Sequence, residues 1–435
     1  MLRIACVVVA IGSVVAARLN AQDLVLTNAR IVDPNSRTVT PGSVWIEAGR
    51  VVASGPTVPA DAPGQRIDLR GKWVIPGLVD LHTHSFGNAA PGRVSDGSGT
   101  AHTATRVLRT GVVALLDLFG SEGYILPLRD QQRGDTVAVG AFIFAAGPCF
   151  TAPRGHCTEY GIPTRVVSSP QDARQQLATL IAKRPDVIKV VYDHFDYGAT
   201  PMPSIARQTL RVLISTATQH GVRTVVHVGT WEDLRHAVLA GATAVTHVPR
   251  DGIVPDDVLA LMSSSRVYHI PTLVVHSDLS EFYDNPSLVD SPLFVAAAAD
   301  TIRATYRRGV RELDERTRGW IDRQRASKAD AIESVRRLHA SGVAMLVGTD
   351  AGNWGTIQGY SVHRELSRLV EAGLSPWDAL AAGTTSAAAF LGRRFGVHPG
   401  DEAHFVVLDA SPIERIENTQ QIAYVIMNGQ VVFQR

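Results

Sequence analysis

The middle of the chain alternates between short, almost continuous apolar runs and longer stretches in which apolar residues recur at helical spacing. Apolar runs of strand length occupy 74–82, 111–119, 137–147, 186–193, 223–229, 244–249, 267–275 and 343–352. Helical patterns lie between several of them, at 170–184, 205–221 and 231–242. Parallel strands that are buried on both faces appear in a sequence as continuous apolar runs. The alternation therefore predicts an α/β fold, a (β/α)8 TIM barrel, with a doubly wound sheet as the alternative that eight consecutive repeats disfavour.

Both ends of the chain have a different pattern, with short β-branched runs separated by Pro, Asn and Gly turns. Such runs are typical of small antiparallel strands. Neither end has enough strands to form a stable sheet alone. We therefore predict one small β-sandwich formed from 22–75 and 400–435, with the barrel inserted between them at 76–399. The polar stretch at 277–330 is longer than one crossover requires and predicts added helices over one rim of the barrel.

The first 21 residues are a separate segment. Arg3 precedes an apolar run from Ile4 to Ala17, and small residues follow up to Ala21. A basic start, a short apolar centre and small residues at the exit predict a secretory signal peptide. The run is shorter than the roughly 20 residues that a membrane-spanning helix needs, although an uncleaved anchor stays open as an alternative. The sequence thus predicts an exported protein, periplasmic or secreted.

Composition and charge exclude several classes of partner. The chain has 435 residues, of which 45% are hydrophobic and 19% charged, and its net charge is +1. A chain with so balanced a charge has no basic surface for nucleic acid, nor for an anionic membrane once the signal is removed. The expected partner is a small-molecule substrate, bound by a single chain or by a homo-oligomer.

The first predicted strand ends in "PGLVDLHTH", which places His82 and His84 one residue apart. Alternate side chains of an extended strand share a face, so the two imidazoles point the same way. Neighbouring neutral imidazoles are a natural pair of metal ligands. The alternative for this pair taken alone is two solvated histidines in a loop.

Four further residues that can hold a metal fall at corresponding places in later strands. Lys189 lies in the fourth predicted strand, His227 in the fifth, His247 in the sixth, and Asp350 at the end of the eighth. Taken singly, each has a structural explanation, such as a hydrogen-bonded core histidine or a helix-capping aspartate. Active sites of TIM barrels lie at the carboxyl ends of the strands. The set as a whole therefore predicts a metal centre.

These motifs resemble the amidohydrolase superfamily of binuclear metal-dependent hydrolases, in the branch of imidazolonepropionase and the metal-dependent prolidases. The resemblance extends over nearly the whole mature chain. It rests on "PGLVDLHTH", "DVIKV", the two strand histidines, "GTDAG" and the segment from His363 to Gly392. The chain departs from the relatives at Ala403–Phe405, which lies in the predicted sandwich, and its loops "YDHFDYG" and "PRDG" spell no recognisable specificity.

The resemblance implies a role for each residue of the set. His82, His84 and Asp350 would hold one metal, His227 and His247 the other, and Lys189, carboxylated by CO2, would bridge them. The expected ions are two divalent metals, zinc by default, with manganese or cobalt as alternatives. A metal-bridging hydroxide would attack an amide carbonyl, with Asp350 as general base and then general acid.

Other residues near the strand ends are candidates for binding the substrate. Tyr192 and His194 follow Lys189, Arg250 follows His247, and His269 lies in the seventh strand. A solvent-facing loop is the alternative for the first two, and a structural role is the alternative for His269.

Three functions are compatible with the sequence. The first is an exported dipeptidase or N-acyl amino acid hydrolase, and the second is a hydrolase of cyclic amides or lactones. Lys189 counts against the mononuclear form of the second, which needs no bridging ligand. The third is a barrel scaffold without catalysis, which the intact ligand set opposes.

The cysteines are interpreted in the light of the predicted export. Removal of the signal would remove Cys6 and leave Cys149 and Cys157, within "GPCFTAPRGHCTEYG". Two cysteines in an exported chain predict a disulfide. Free thiols or thiolate metal ligands are the alternatives.

Overall fold

The computed structural model describes residues 23–134, 140–196 and 202–435. The strands are β1 Leu24–Asp33, β2 Thr38–Glu47, β3 Arg50–Gly55, β4 Gln65–Asp68, β5 Trp73–Pro76, β6 Leu78–Thr83, β7 Ala89–Ala90, β8 Val94–Ser95, β9 Val112–Asp117, β10 Phe142–Ala145, β11 Phe150–Thr151, β12 Arg165–Val166, β13 Val187–Tyr192, β14 Arg223–Val228, β15 Ala244–Thr246, β16 Tyr268–Ile270, β17 Ala344–Met345, β18 Phe405–Leu408, β19 Ile422–Met427 and β20 Gln430–Gln434. The α-helices are α1 Gly99–Val107, α2 Glu122–Arg133, α3 Pro170–Ile181, α4 Arg207–Gln219, α5 Trp231–Leu239, α6 Asp256–Ser264, α7 Asp278–Asp284, α8 Pro292–Ala297, α9 Asp300–Tyr306, α10 Glu315–Ala340, α11 Tyr360–Glu371, α12 Pro376–Gly383 and α13 Thr385–Phe390.

The central strands pair in parallel and follow one another in chain order. One sheet has the order β6, β9, β10, and another runs from β13 through β14, β15 and β16 to β17. A doubly wound sheet reverses its strand order at a switch point, whereas these strands do not. Strands β6, β9 and β13 are buried along their whole length, as the continuous apolar runs indicate. The fold is therefore a TIM-barrel-like α/β fold, and complete closure of the barrel stays a prediction.

Backbone hydrogen bonds bring the first strand beside the segment that follows β17. The amide of Leu81 donates to the carbonyl of Val347 at 3.0 Å, and the amide of Asp350 donates to the carbonyl of His82 at 2.7 Å. These bonds place the end of β6 next to the loop that carries Asp350.

Both ends of the chain contribute to a single mixed sheet. Its order is β20, β19, β18, β5, β1, β2, β3, with β4 also paired to β1. Strand β18 pairs antiparallel with both β19 and β5, so the C-terminal strands join the N-terminal ones directly. A separate apolar cluster, which includes Leu26, Ile46 and Phe405, packs within this part of the chain. The sandwich packing and the domain boundaries stay predictions.

One predicted strand is divided in the structure. The run at 74–82 is split at Gly77, with β5 in the terminal sheet and β6 in the central one. A Cβ at Gly77 would clash with the side chain of Val113, and the Gly77 amide donates to the carbonyl of His404 at 2.8 Å. The chain passes between two sheets at this close contact, which the continuous apolar pattern concealed.

The stretch predicted at 277–330 is helical, with α7, α8 and α9 followed by the start of the long α10. The predicted signal peptide, at 1–21, lies outside the described residues. Among the residues that the structure describes, no helix combines the length and the apolar character needed to cross a membrane.

Candidate metal centre

The six residues singled out in the sequence line one pocket at the carboxyl ends of the parallel strands: His82, His84, Lys189, His227, His247 and Asp350. Strands β6, β13 and β14 carry His82, Lys189 and His227, while the other three follow the ends of β6, β15 and β17. Residues more than 260 positions apart in the chain thus meet, because parallel strands end at the same edge.

His82, His84 and Asp350 form the tightest part of this group. Oδ1 of Asp350 lies 2.8 Å from Nε2 of His84 and 3.1 Å from Nε2 of His82. One ligand atom from each residue lies within 4.8 Å of the others, which is close enough for all three to hold one ion. Two imidazole nitrogens and a carboxylate oxygen are a donor set that zinc accepts.

Lys189 is buried beside these ligands. Its Nζ lies 3.3 Å from Nε2 of His82, and its side chain is surrounded by protein. Burial penalises the ammonium and lowers the pKa of Lys189 to about 7, although the Asp350 carboxylate opposes the shift. A substantial fraction of this amine is therefore neutral near pH 7.

His247 lies between His82 and His227. The ring centroids of His247 and His227 are 4.5 Å apart, and those of His247 and His82 are 4.9 Å apart. Burial holds the pKa of His247 well below its usual value, so this imidazole stays neutral and can act as a ligand.

Three of the histidines have one ring nitrogen held by a neighbour outside the group. Oγ1 of Thr246 lies 2.7 Å from Nδ1 of His82, and Oγ1 of Thr272 lies 2.8 Å from Nδ1 of His247. His227 donates through Nε2 to Asp193 at 2.9 Å. Such partners orient metal-ligating histidines and determine which nitrogen faces the ion. The arrangement thus fits a metal centre, with His82 and His247 presenting Nε2 and His227 presenting Nδ1.

Asp193 is itself tightly held. Burial alone would raise its pKa, but the hydrogen bonds from His227 and from the backbone amide of Phe195 lower the pKa to about 2. The Asp193 carboxylate also explains why residue 229 is a glycine, because a Cβ at Gly229 would clash with that carboxylate. The sequence analysis missed Asp193, because the "YDHFDYG" loop does not show which way the Asp193 side chain points.

Asp80 is a second residue that the sequence analysis missed. Its Oδ1 accepts the backbone amides of His82 and Thr349, each at 3.1 Å, and its Oδ2 accepts the Thr349 hydroxyl at 2.6 Å. It therefore ties the strand of the histidine pair to the loop that carries Asp350. An aspartate inside the apolar run "GLVDLH" was the signal that could have revealed it.

Two residues of the group have unusual backbone conformations. His247 has φ of 75° and Asp350 has φ of 56°, both in the left-handed region. Non-glycine residues occupy this region rarely, and at a cost that the surrounding structure must offset. In this conformation, both side chains line the pocket.

Seven residues outside the candidate ligand group also line the pocket. They are Phe86, Phe119, His156, Cys157, Tyr160, Val191 and Asn353. The structure pairs Cys157 with Cys149 as a disulfide, within the loop that follows β10. The ring of His156 lies 4.9 Å from the ring of His227.

The four candidate substrate residues are not among those that line this pocket. The Tyr192 hydroxyl lies 3.0 Å from Nδ1 of His236, and Nδ1 of His194 lies 2.6 Å from Asp233. The guanidinium of Arg250 lies over the ring of Trp320, at 5.2 Å. His269 lies behind His247, with its Nε2 3.1 Å from the His247 carbonyl. The structure thus places His269 in support of a candidate ligand.

Comparisons with known proteins identify the family of this chain. The sequence profile of the Amidohydrolase family matches residues 73–432. An uncharacterized protein of Mycobacterium tuberculosis is 27% identical over 326 residues, which cover 74% of this chain and 75% of that protein. A solved Xaa-Pro dipeptidase with bound methionine in its active site has a TM-score of 0.75 at 20% identity, over 95% of this chain and 100% of the other. A prolidase complexed with N-methylphosphonate-L-proline has a TM-score of 0.73 at 21% identity, with the same coverage.

The solved structures support the fold, and the profile match covers most of the chain. This protein belongs to the amidohydrolase family and is a hydrolase that acts on carbon–nitrogen bonds.

Proposed function

We propose that this protein is an exported, binuclear metal-dependent hydrolase that cleaves the amide bond of a dipeptide or an N-acyl amino acid. The observation that carries the proposal is the assembly of six candidate ligands in one pocket, three of them with an oriented outer partner. Such partners are the ones that orient histidines for metal binding, which favours a metal-dependent enzyme over a barrel scaffold without catalysis.

The residues divide between two ions. His82, His84 and Asp350 would hold one, His227 and His247 the other, and carboxylated Lys189 would bridge them. Zinc is the expected metal for these N and O ligands, with manganese or cobalt as alternatives. When bound, the pair of ions would lower the pKa of a shared water toward neutrality and polarise the scissile carbonyl.

Lys189 is suited to carboxylation. An amine attacks CO2 only when it is neutral, and the buried Lys189 has a pKa lowered to about 7. Addition of CO2 to the neutral amine forms one N–C bond, releases the amine proton, and gives a carbamate whose single negative charge is shared by two oxygens. An ammonium would be repelled by two divalent cations, whereas the carbamate could offer one oxygen to each.

Asp350 would carry the proton during hydrolysis. Burial alone would raise its pKa, but the interactions with His82 and His84 hold that pKa well below its usual value. The carboxylate is therefore ionised and able to accept a proton, which it would then return to the leaving nitrogen. Because the same side chain accepts and returns the proton, a second acid is not required.

The substrate class is supported by the solved proteins with this fold. Two of them are a Xaa-Pro dipeptidase and a prolidase complexed with a phosphonate derivative of proline. A cyclic amide or lactone is the alternative substrate. Export is supported by the apolar segment after Arg3 and by the pairing of Cys149 with Cys157.

The test uses the mature protein, prepared with metal and bicarbonate and assayed against dipeptides, N-acyl amino acids, cyclic amides and lactones. Release of a free amino group from the first two classes is expected, and it should be lost in Asp350→Asn. The matched control is Glu232→Gln, because Glu232 pairs with His236 outside the pocket at 2.9 Å and should not affect activity.

Each other outcome has a defined meaning. Hydrolysis of cyclic amides or lactones alone would replace the proposal by its alternative. Absence of any hydrolysis in protein that holds both metals would favour the scaffold. Activity retained in Asp350→Asn would remove the assigned proton carrier.

A further inference from the structure

Three aromatic rings stand together at the mouth of the pocket, and we call Phe86, Phe119 and Tyr160 the aromatic wall. Phe119 and Tyr160 are in edge contact, with ring centroids 6.1 Å apart. The rings of Phe86 and His84 are stacked, with centroids 6.0 Å apart and an interplanar angle of 20°. The wall thus begins directly beside a candidate metal ligand.

Two of the three rings are exposed. Phe86 has 39% of its surface accessible and Tyr160 has 49%, although both line the pocket. Single exposed apolar side chains are common on protein surfaces and need no explanation. Rings that gather on one side of a pocket with polar groups opposite are instead typical of a site that holds an apolar part of a ligand.

Two of the three rings are anchored by buried neighbours. Phe119 is only 3% exposed and packs in a small buried cluster with Cys149, Cys157 and Val191. The loop that carries Tyr160 includes the paired Cys157, so the disulfide ties this loop to the same cluster. A fixed apolar surface can discriminate between substrates, because it does not rearrange to suit a small or polar one.

We propose that the aromatic wall selects substrates that carry an aromatic or large aliphatic side chain next to the scissile bond. The proposal rests on the proposed function and names the substrate class of the same site. Because Phe86 stacks on His84, a group held by the wall would lie beside the candidate metal centre. A single methylene in a hydrophobic pocket changes kcat/KM by about 10- to 200-fold, so a whole aromatic or large aliphatic side chain should change it by at least about tenfold.

The experiment compares pairs of dipeptides that differ at one position. Phe or Leu is exchanged for Ser at the first position with the second held constant, and then the series is reversed. The wild-type protein should prefer the apolar member of one series by at least about tenfold in kcat/KM. That preference should fall severalfold in Phe86→Ala and in Tyr160→Ala.

The control variant is Tyr124→Ala. Tyr124 is 51% exposed on α2 and is not among the residues that line the pocket. The Tyr124→Ala variant should leave the preference for the apolar dipeptide unchanged. Phe86→Leu and Tyr160→Phe retain an apolar surface and should keep most of the preference, which separates lost contact from misfolding.

Failure of this proposal differs from failure of the proposed function. Hydrolysis without an apolar preference, or a preference unchanged in both alanine variants, would overturn the aromatic wall and leave the hydrolase proposal standing. If no peptide is hydrolysed, the proposed function fails. Calorimetric titration of the same peptide pairs into the protein then tests whether the aromatic wall binds apolar side chains. Tighter binding of the apolar members, lost in Phe86→Ala, would support it, and equal binding would overturn it.

Discussion

The hydrogen bond between Asp193 and His227 gives a direct test of the metal centre. We consider Asp193→Ala, which removes the carboxylate that accepts from Nε2 of His227 at 2.9 Å. The carboxylate side chain is 4% exposed and that of His227 is 10%, so water screens their interaction little. Loss of the bond frees the ring to rotate and to bind a proton on the nitrogen that the metal requires.

The magnitude follows from the kind of bond that is lost. A hydrogen bond to a charged group contributes about 1.5–3 kcal/mol, which corresponds to about 10- to 150-fold in an equilibrium constant. Loss of a carboxylate partner of a metal-ligating histidine costs about 10- to 100-fold in affinity or activity. We therefore expect Asp193→Ala to weaken binding of one ion by about 10- to 100-fold. Asp193→Asn, which keeps an acceptor oxygen without the charge, should lie near the lower limit.

The assay is metal titration of the apoprotein, with ions counted by elemental analysis and kcat/KM followed against free zinc. Activity of Asp193→Ala should return at high zinc, since the ligand is still present. Glu232→Gln is the control, because it removes a carboxylate from a histidine on α5 outside the pocket. Wild-type zinc affinity in a folded Asp193→Ala protein would refute the assignment of His227 as an oriented ligand.

Three further predictions follow from the same site. Protein prepared with metal and bicarbonate should hold two divalent ions per chain, and a single tight ion in active enzyme by elemental analysis would exclude the binuclear centre. Lys189→Ala should abolish activity, with partial recovery in acetate, which can stand in for the carbamate; full activity without acetate would contradict the bridging role. Protein from its native compartment, denatured without reductant and treated with an alkylating reagent, should keep its mass, because Cys149 and Cys157 are paired. A gain of two alkyl groups would show both thiols free and weaken the case for export.

Much of the framework could be predicted from local pattern. The continuous apolar runs predicted the parallel strands, because a strand buried on both faces has no polar side. The positions of His82 and Asp350 at strand ends predicted that they would meet, because parallel strands end at one edge. The split of the first run at Gly77 could not be predicted, because it depends on the side chain of Val113 in a neighbouring strand.

The sequence by itself determined the alternation of strands and helices, the pairing of the two chain ends, and the identity of the residues able to hold a metal. Only the tertiary structure decided which of the polar residues nearby face the pocket. It turned His194 toward Asp233 on α5, and it brought Asp193 to His227 and Asp80 to Thr349. The physical reason is that strand periodicity positions a side chain within its own element, whereas the direction of a loop side chain depends on partners that are distant in sequence.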